Sequence, residues 1–176
     1  MTGPILRVPS QVYRAVQRHL LPRKTRTEAV AFLFVTRIEA DTFKYIEWYQ
    51  VPASGFVSRS SYHLELTDET RGGVIKRAHD LGASLVELHS HLGPLPAEFS
   101  ESDLAGFRDF VPHVLWRLKN KPYFAIVMTR ASFDGFAWLT SPTTPQRLAA
   151  IEIGDAVLTP TGLSSLSGRD YDKRAF

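Results

Sequence analysis

The sequence predicts a single α/β domain in which a mixed β-sheet is flanked by helices. Segments with the hydrophobic pattern of strands alternate with segments that have the helical pattern, as in layered α/β folds. The 176 residues suffice for one hydrophobic core, and 44% hydrophobic with 22% charged residues is typical of a globular protein. We expect the domain to span residues 1–158 and the polar segment 159–176 to form a flexible tail.

Three segments have the apolar spacing and the end signals of helices. In each of them, apolar residues recur every three or four positions, which places them on one helix face. Pro112 is expected to kink or split the third helix, because proline lacks a backbone N–H and its ring clashes with the preceding turn. In chain order the helices lie between Ser10 and Pro22, between a Thr67 or Asp68 cap and Gly82, and from Ser100 toward Lys119.

The predicted strands are rich in apolar, aromatic and β-branched residues. The segment 28–36 is almost continuously apolar, which is typical of a strand buried on both faces. The segments 122–129 and 135–140 are expected to form a pair joined through Asp134-Gly135. The segment 92–99 contains glycine and prolines and is predicted to be irregular. The remaining predicted strands are 42–51, 62–67, 83–91 and 151–158.

The most informative motif is His89-Ser90-His91, which is followed by Ser100 and Asp103. Residues i and i+2 of a strand point to the same face, so the two imidazoles can bind one ion. Asp103 lies twelve residues after His91 and can return across the loop as a third ligand. Two histidines and one aspartate leave the fourth position of a zinc ion open, which is the pattern of catalytic sites. The sequence has no cysteine, so no thiolate zinc site competes with this interpretation.

Ser100 and Asp103 also fit a structural role at the start of the third helix. Ser-x-x-Asp resembles a capping box, in which the serine accepts an early backbone N–H and the acid bonds back to the cap. An Asp103 that binds zinc cannot also cap the helix fully. Glu98 and Glu101 are alternative carboxylate ligands, although their positions are more typical of solvated loop and helix-start residues.

Charge and composition argue against several other classes of protein. No apolar run approaches the roughly 20 residues needed to cross a bilayer, and the first residues lack the apolar stretch of a signal peptide. We therefore expect a cytoplasmic protein without a membrane partner. The basic residues within 14–26 are typical of a solvated surface, and an acidic or nucleic-acid partner is the minor alternative. Serine-hydrolase, HExxH and phosphate-loop motifs are absent.

The His-Ser-His and Ser-x-x-Asp motifs resemble those of the JAMM metalloproteases, which have the JAB/MPN domain. In that family two histidines and one aspartate hold zinc, so the resemblance implies that His89, His91 and Asp103 are the ligands. The family also places a glutamate on the strand after the first helix, and Glu28 occupies this place. The order of predicted elements is similar over roughly residues 8–140. The resemblance therefore implies an MPN-like mixed sheet.

Three features of the sequence depart from the family pattern. Leu92 follows the second histidine, where the family usually has proline. The loop between His91 and Ser100 is one residue longer than usual, and Ala31 stands where glycine is often found. The longer loop makes the placement of Asp103 the first feature to check in a structure.

The resemblance implies a zinc peptidase in which Glu28 is the general base and Ser100 donates a hydrogen bond to the oxyanion. Without the resemblance, Glu28 would be interpreted as an exposed carboxylate paired with Lys24 or Arg26. The family commonly hydrolyses the (iso)peptide bond after the C-terminal glycine of ubiquitin or a ubiquitin-like protein. The segments 52–61 and 130–135 are candidate walls of a groove for such a tail.

The compact domain is most similar to bacterial members of the family. Those members often accompany activating and conjugating enzymes in ubiquitin-like operons, including antiphage defence systems, so these enzymes and the ubiquitin-like protein are the expected partners. Two alternatives stay open. The first is a peptidase that trims a sulfur-carrier-like precursor, and the second is a non-catalytic MPN scaffold.

Overall fold

A nine-stranded mixed β-sheet runs through the computed structural model, which describes residues 2–165. Its strand order is β11-β10-β1-β3-β2-β6-β7-β8-β9, and β4 and β5 form a separate hairpin. The strands are β1 (Ile5–Val8), β2 (Val30–Arg37), β3 (Thr42–Gln50), β4 (Phe56–Arg59), β5 (Leu64–Leu66), β6 (Ser84–Ser90), β7 (Tyr123–Met128), β8 (Phe133–Trp138), β9 (Gln146–Arg147), β10 (Ala150–Ile153) and β11 (Ala156–Leu158). The helices are α1 (Ser10–Leu20), α2 (Asp68–Leu81) and α3 (Glu101–Arg117). The predicted α/β class is confirmed.

Helices cover both faces of the sheet and divide the core into two layers. The even-numbered residues of β2 join the buried side chains of α2 and α3, whereas the odd-numbered residues 31, 33 and 35 join those of α1. This alternation follows from the two-residue period of a strand, and it confirms that β2 is buried on both faces. In β6, Leu85 faces the layer of α2 and α3, so Glu87 and His89 are on that same side.

The three helices have the ends that their sequences predict. Thr67 Oγ1 accepts the N–H of Thr70 at the start of α2, and Gly82 ends that helix with a left-handed φ of 61°. The predicted split at Pro112 is not found, because α3 continues through it with Val111 and Val114 buried on either side. No helix within residues 2–165 is long and apolar enough to cross a membrane.

Several strand boundaries differ from the prediction. The four residues of β1 form a strand that was not predicted. The predicted strand 62–67 shortens to β5, which pairs with β4, another strand that was not predicted. The strand expected at 151–158 is two strands, because Gly154 turns the chain with a φ of 59°. A four-residue turn at 129–132 joins β7 to β8.

Asp134-Gly135 lies inside β8 rather than in the predicted turn. The Asp134 carboxylate is fully buried, and it forms an ion pair with Arg147 at 3.1 Å. It also accepts the backbone N–H groups of Gly135 and Ser164. Asp-Gly is a turn signal in an isolated segment, but here the aspartate is kept in the sheet by partners from distant parts of the chain.

The first part of the expected tail is fixed to the domain. The Thr161 N–H donates to the Phe133 carbonyl, and the Thr161 hydroxyl donates to the Ala97 carbonyl. Ser164 is buried, and its carbonyl accepts a hydrogen bond from Arg147. The segment 159–165 therefore packs beside the loop 92–99, and the rest of the expected tail lies outside the described residues.

Candidate metal centre

Three ligand atoms converge where β6 ends and α3 begins. His89 Nε2 is 3.3 Å from His91 Nε2, and both lie near Asp103 Oδ2, at 3.4 Å and 3.2 Å respectively. His89 is almost completely buried, whereas about a fifth of the side chain is exposed in both His91 and Asp103. Within residues 2–165, this is the one group of at least three histidine, aspartate or glutamate side chains arranged to hold a metal ion.

The spacing of the three atoms fits a tetrahedral metal site. Ligand atoms about 2.0–2.1 Å from a zinc ion are about 3.3–3.4 Å from one another when the geometry is tetrahedral. The three distances in the protein lie within 0.2 Å of this spacing. The donor set of two imidazoles and one carboxylate suits zinc and related divalent ions, and it leaves one coordination position open. The group can therefore hold a metal ion.

Asp103 reaches the histidines while it completes the predicted capping box. Its Oδ2 accepts the Ser100 N–H and the Ser100 hydroxyl, both at 2.8 Å, and its own N–H donates to Ser100 Oγ at 3.1 Å. The oxygen that caps α3 is thus the one that faces His89 and His91. A metal ion at this site would compete with the Ser100 hydroxyl for the lone pairs of Oδ2. The alternative carboxylates Glu98 and Glu101 are exposed and do not belong to the group that could hold a metal ion.

The charges of the group reinforce one another. Burial acts to raise the pKa of Asp103, but His89, His91 and the Ser100 N–H outweigh it and hold that pKa well below its usual range. Burial acts to lower the pKa of His89, but the carboxylates around it outweigh burial and raise it. Oppositely charged groups at this distance stabilise each other in a buried setting. Asp103 is therefore held as a carboxylate, which is the form in which it can bind a cation.

Glu28 lies beside the histidines and is buried, with 5% of its surface exposed. Val30 pairs with His89 across β2 and β6, so continuing the antiparallel register by two residues places Glu28 opposite His91. Burial raises the pKa of Glu28, and the charges of His91 and His89 oppose this rise only in part. The interpretation as an exposed carboxylate paired with Lys24 or Arg26 is therefore wrong.

Ser90, which lies between the two histidines in the sequence, is hydrogen-bonded to Ala29, the residue that follows Glu28. Its hydroxyl accepts the N–H of Ala29 at 2.9 Å, and its own N–H donates to the Ala29 carbonyl at 3.0 Å. Ser90 is completely buried. Its side chain points to the sheet face opposite the two histidines, because residues i and i+1 of a strand point to opposite faces. The middle residue of the His-Ser-His motif therefore holds the start of β2 against the end of β6.

Two cavities adjoin the centre and share Glu28, Tyr62 and Ser100 as walls. A cavity of about 110 Å³ extends toward α2 and α3, and it is lined by polar groups that include His63, Arg71 and Glu87. A cavity of about 550 Å³ lies on the side of His91, and its walls are mainly the apolar residues Leu92, Pro94, Leu95, Pro96, Phe99 and Leu163. Both cavities therefore border the His89–His91–Asp103 group, the smaller one through His89 and Asp103 and the larger one through His91.

Few residues of the predicted groove walls line the two cavities. Ser61 is the one residue of 52–61 that lines either of the two cavities, and Tyr62, just outside this segment, lines both. No residue of 130–135 lines either cavity, although Thr129 lines the larger one. The turn 129–132 instead supports the loop, because the Ser132 hydroxyl accepts the Ala97 N–H.

Sequence reasoning missed Glu87, which lies next to the centre. Glu87 Oε2 accepts the Tyr123 hydroxyl at 2.7 Å, and Oε1 lies 3.9 Å from His89 Nδ1. Burial raises the pKa of Glu87. The alternation Glu87-x-His89-x-His91 was the available signal, because all three residues share one strand face.

Comparison with known proteins adds no relative. No protein-family model matches the chain, and no curated protein sequence matches it.

Proposed function

We propose that the protein is a zinc-dependent (iso)peptidase of the JAMM type, with an MPN-like fold. Its substrate is the bond that follows the C-terminal glycine of a ubiquitin-like protein. The observation that carries the proposal is the triangle of His89 Nε2, His91 Nε2 and Asp103 Oδ2, whose 3.2–3.4 Å sides suit a tetrahedral ion with one open position. A buried Glu28 beside this triangle supports hydrolysis rather than a purely structural ion.

Glu28 acts as the general base and general acid in the proposed hydrolysis. A bound zinc ion would lower the pKa of a water molecule to about 7 and polarise the scissile carbonyl. Glu28 takes a proton from the attacking water, whose oxygen forms a new bond to the carbonyl carbon. Glu28 then delivers this proton to the leaving amine, and the C–N bond breaks. The same carboxylate can make both transfers, because a group that has accepted a proton as the base can afterwards donate it as the acid.

Ser100 stabilises the negative charge that develops on the carbonyl oxygen. Its hydroxyl donates to Asp103 Oδ2 at 2.8 Å, so it must turn toward the substrate to serve as an oxyanion donor. Coordination of Oδ2 to an ion would weaken this internal bond and favour the turn. One residue thus links helix capping to transition-state stabilisation.

The shape around the centre supports an extended substrate. The smaller polar cavity and the larger apolar cavity share the wall residues Glu28, Tyr62 and Ser100. A ubiquitin-like tail ends in a flexible extended segment, which can enter such a groove and gain main-chain hydrogen bonds. Activating and conjugating enzymes for the same ubiquitin-like protein are the further partners that we propose.

Two measurements test the proposal. The first is the zinc content of the purified protein after zinc supplementation, with His89→Ala as the matched control; we expect one ion per chain in the original protein and loss in the variant. The second is cleavage of ubiquitin-like fusions and of lysine conjugates. Cleavage of both classes supports the proposal.

Other outcomes would replace the proposed activity with one of its alternatives. Cleavage of precursors but never of conjugates would indicate a peptidase that trims carrier-like precursors. Less than stoichiometric zinc, even after supplementation, would indicate a non-catalytic scaffold and would overturn the proposal.

A further inference from the structure

Glu87 lies directly below the metal-binding group on the same strand face. Glu87 and His89 alternate along β6, and His91 continues the alternation just after the strand ends, so the three side chains share the face that packs against α3. Only 13% of the Glu87 side chain is exposed, and the residue lines the small polar cavity. A carboxylate in this position must have a polar partner, because burial without one is costly.

The two carboxylate oxygens of Glu87 have different neighbours. Oε2 accepts the Tyr123 hydroxyl at 2.7 Å, and Tyr123 is completely buried in β7. Oε1 faces Nδ1 of His89 at 3.9 Å. The opposite ring nitrogen, His89 Nε2, belongs to the triangle with His91 and Asp103. The imidazole of His89 therefore lies between Glu87 and the centre, with one nitrogen toward each.

We propose that Glu87 is a positioning residue, which accepts the Nδ1–H of His89 and so keeps Nε2 directed at the metal ion. This inference rests on the proposed metal function. A carboxylate on the outer nitrogen of a ligating histidine fixes the ring orientation and makes the ligating nitrogen more basic. The 3.9 Å separation is about 1 Å longer than a hydrogen bond, and rotation of the Glu87 carboxylate or one bridging water would complete the contact.

The phenyl ring of Phe99 also packs against the imidazole of His89. Its centroid lies 5.7 Å from that of the imidazole, on a loop that the segment 159–165 supports. Phe99 restricts where the ring can move but offers no hydrogen bond. Glu87 is therefore the side chain that sets which nitrogen of His89 carries the proton, and the Tyr123 hydroxyl bonds to the other oxygen of Glu87.

Zinc affinity, measured by competition with a chelator, tests this role. Glu87→Ala should weaken zinc binding about 10–100-fold, which is the usual effect of losing such a partner. Glu87→Gln keeps an oxygen that can accept the Nδ1–H, so it should recover most of the affinity. Glu65→Ala removes an exposed carboxylate on β5 and serves as a control matched in charge. Equal zinc affinity of Glu87→Ala and the original protein would overturn the inference.

A second readout separates positioning from a purely structural role. In the zinc-loaded protein, the Nδ1–H of His89 should give a slowly exchanging, downfield proton resonance, which Glu87→Ala loses and Glu87→Gln keeps. Tyr123→Phe removes only the outer hydroxyl, and the resonance should persist. If Glu87→Ala and Tyr123→Phe lower stability alike while the resonance is unchanged in both, Glu87 serves only the core. Failure of the original protein to bind zinc would instead overturn the proposed function itself.

Discussion

The Phe99 N–H donates a hydrogen bond to Ser164 Oγ at 2.9 Å and thereby joins the end of the described chain to the loop beside the His89–His91–Asp103 group. Phe99 immediately precedes the cap of α3, and its ring stacks on Phe136 at 5.6 Å and contacts His89. The loop 92–99 is thus fixed at its second end. The extra residue of this loop is accommodated without moving Asp103 away from the histidines, because a segment about 65 residues later anchors it.

Removal of the Ser164 hydroxyl should affect both stability and the metal centre. Ser164→Ala leaves the buried Phe99 N–H without its acceptor, so the free energy of unfolding should fall by about 1–3 kcal/mol. Zinc affinity should fall several-fold, because the start of α3 becomes less well fixed. Urea denaturation and chelator competition measure the two effects. Ser58→Ala, an exposed serine on β4, is the control, and identical behaviour of both variants would show that the anchor is unimportant.

The ion pair between Asp134 and Arg147 should be worth more than an exposed pair. Asp134 is completely buried and also accepts the Ser164 N–H, so Asp134→Ala should lower the free energy of unfolding by about 2–3 kcal/mol. Thermal or urea denaturation measures this loss. Asp80→Ala breaks the exposed pair with Lys76 and should leave stability almost unchanged. Equal effects of the two substitutions would contradict the assigned role of Asp134.

Replacement of Glu28 should separate chemistry from metal binding. Glu28→Gln keeps the size of the side chain but cannot accept a proton, so turnover should fall by at least about 100-fold. Zinc affinity should be nearly unchanged, because Glu28 is not among the three ligands. Steady-state cleavage of a ubiquitin-like fusion and chelator competition give the two values. Turnover equal to that of the original protein would exclude Glu28 as the base.

Two substitutions at Asp103 should distinguish its role as a ligand from its role in the cap. Asp103→Asn keeps an oxygen for the Ser100 N–H but removes the charge, whereas Asp103→Ala removes both functions. We expect weaker zinc binding in both variants and an additional loss of about 1 kcal/mol of stability in Asp103→Ala alone. Glu98→Ala and Glu101→Ala serve as controls. If either control weakens zinc binding more than Asp103→Ala, the third ligand has been assigned to the wrong carboxylate.

Ser100 allows a similar separation of the cap from catalysis. Ser100→Ala removes the cap and the oxyanion donor, so stability should fall by about 1 kcal/mol and kcat by about 100–1000-fold. Ser100→Gly should lose kcat to the same extent but only a few tenths of a kcal/mol of stability, because glycine is acceptable at a helix N-cap. Steady-state kinetics and urea denaturation of both variants measure the loss of kcat and the loss of stability. A loss of kcat that follows stability in both variants would assign Ser100 to the cap alone.

Much of the fold could be predicted because its signals are local. The continuous apolar run of β2, the capped helix α2 and the strand that carries His89 all lie close to their predicted positions. The failures occur where distant partners outweigh local preference. Asp134-Gly135 is a turn signal, yet Arg147 and Ser164 hold it in a strand. The short strand β1 has no distinctive pattern and forms because β3 and β10 pair with it on either side.

The sequence by itself determined the chemistry that the centre can offer. Two histidines on one strand face and a Ser-x-x-Asp helix start are local patterns, so their geometry follows from backbone periodicity. Only the tertiary structure decided that Asp103 reaches the histidines and that Glu28 is buried beside them. Both depend on contacts between residues far apart in the chain, namely Phe99 with Ser164 and Ala29 with Ser90. The same is true of Glu87, whose partner Tyr123 comes from the neighbouring strand.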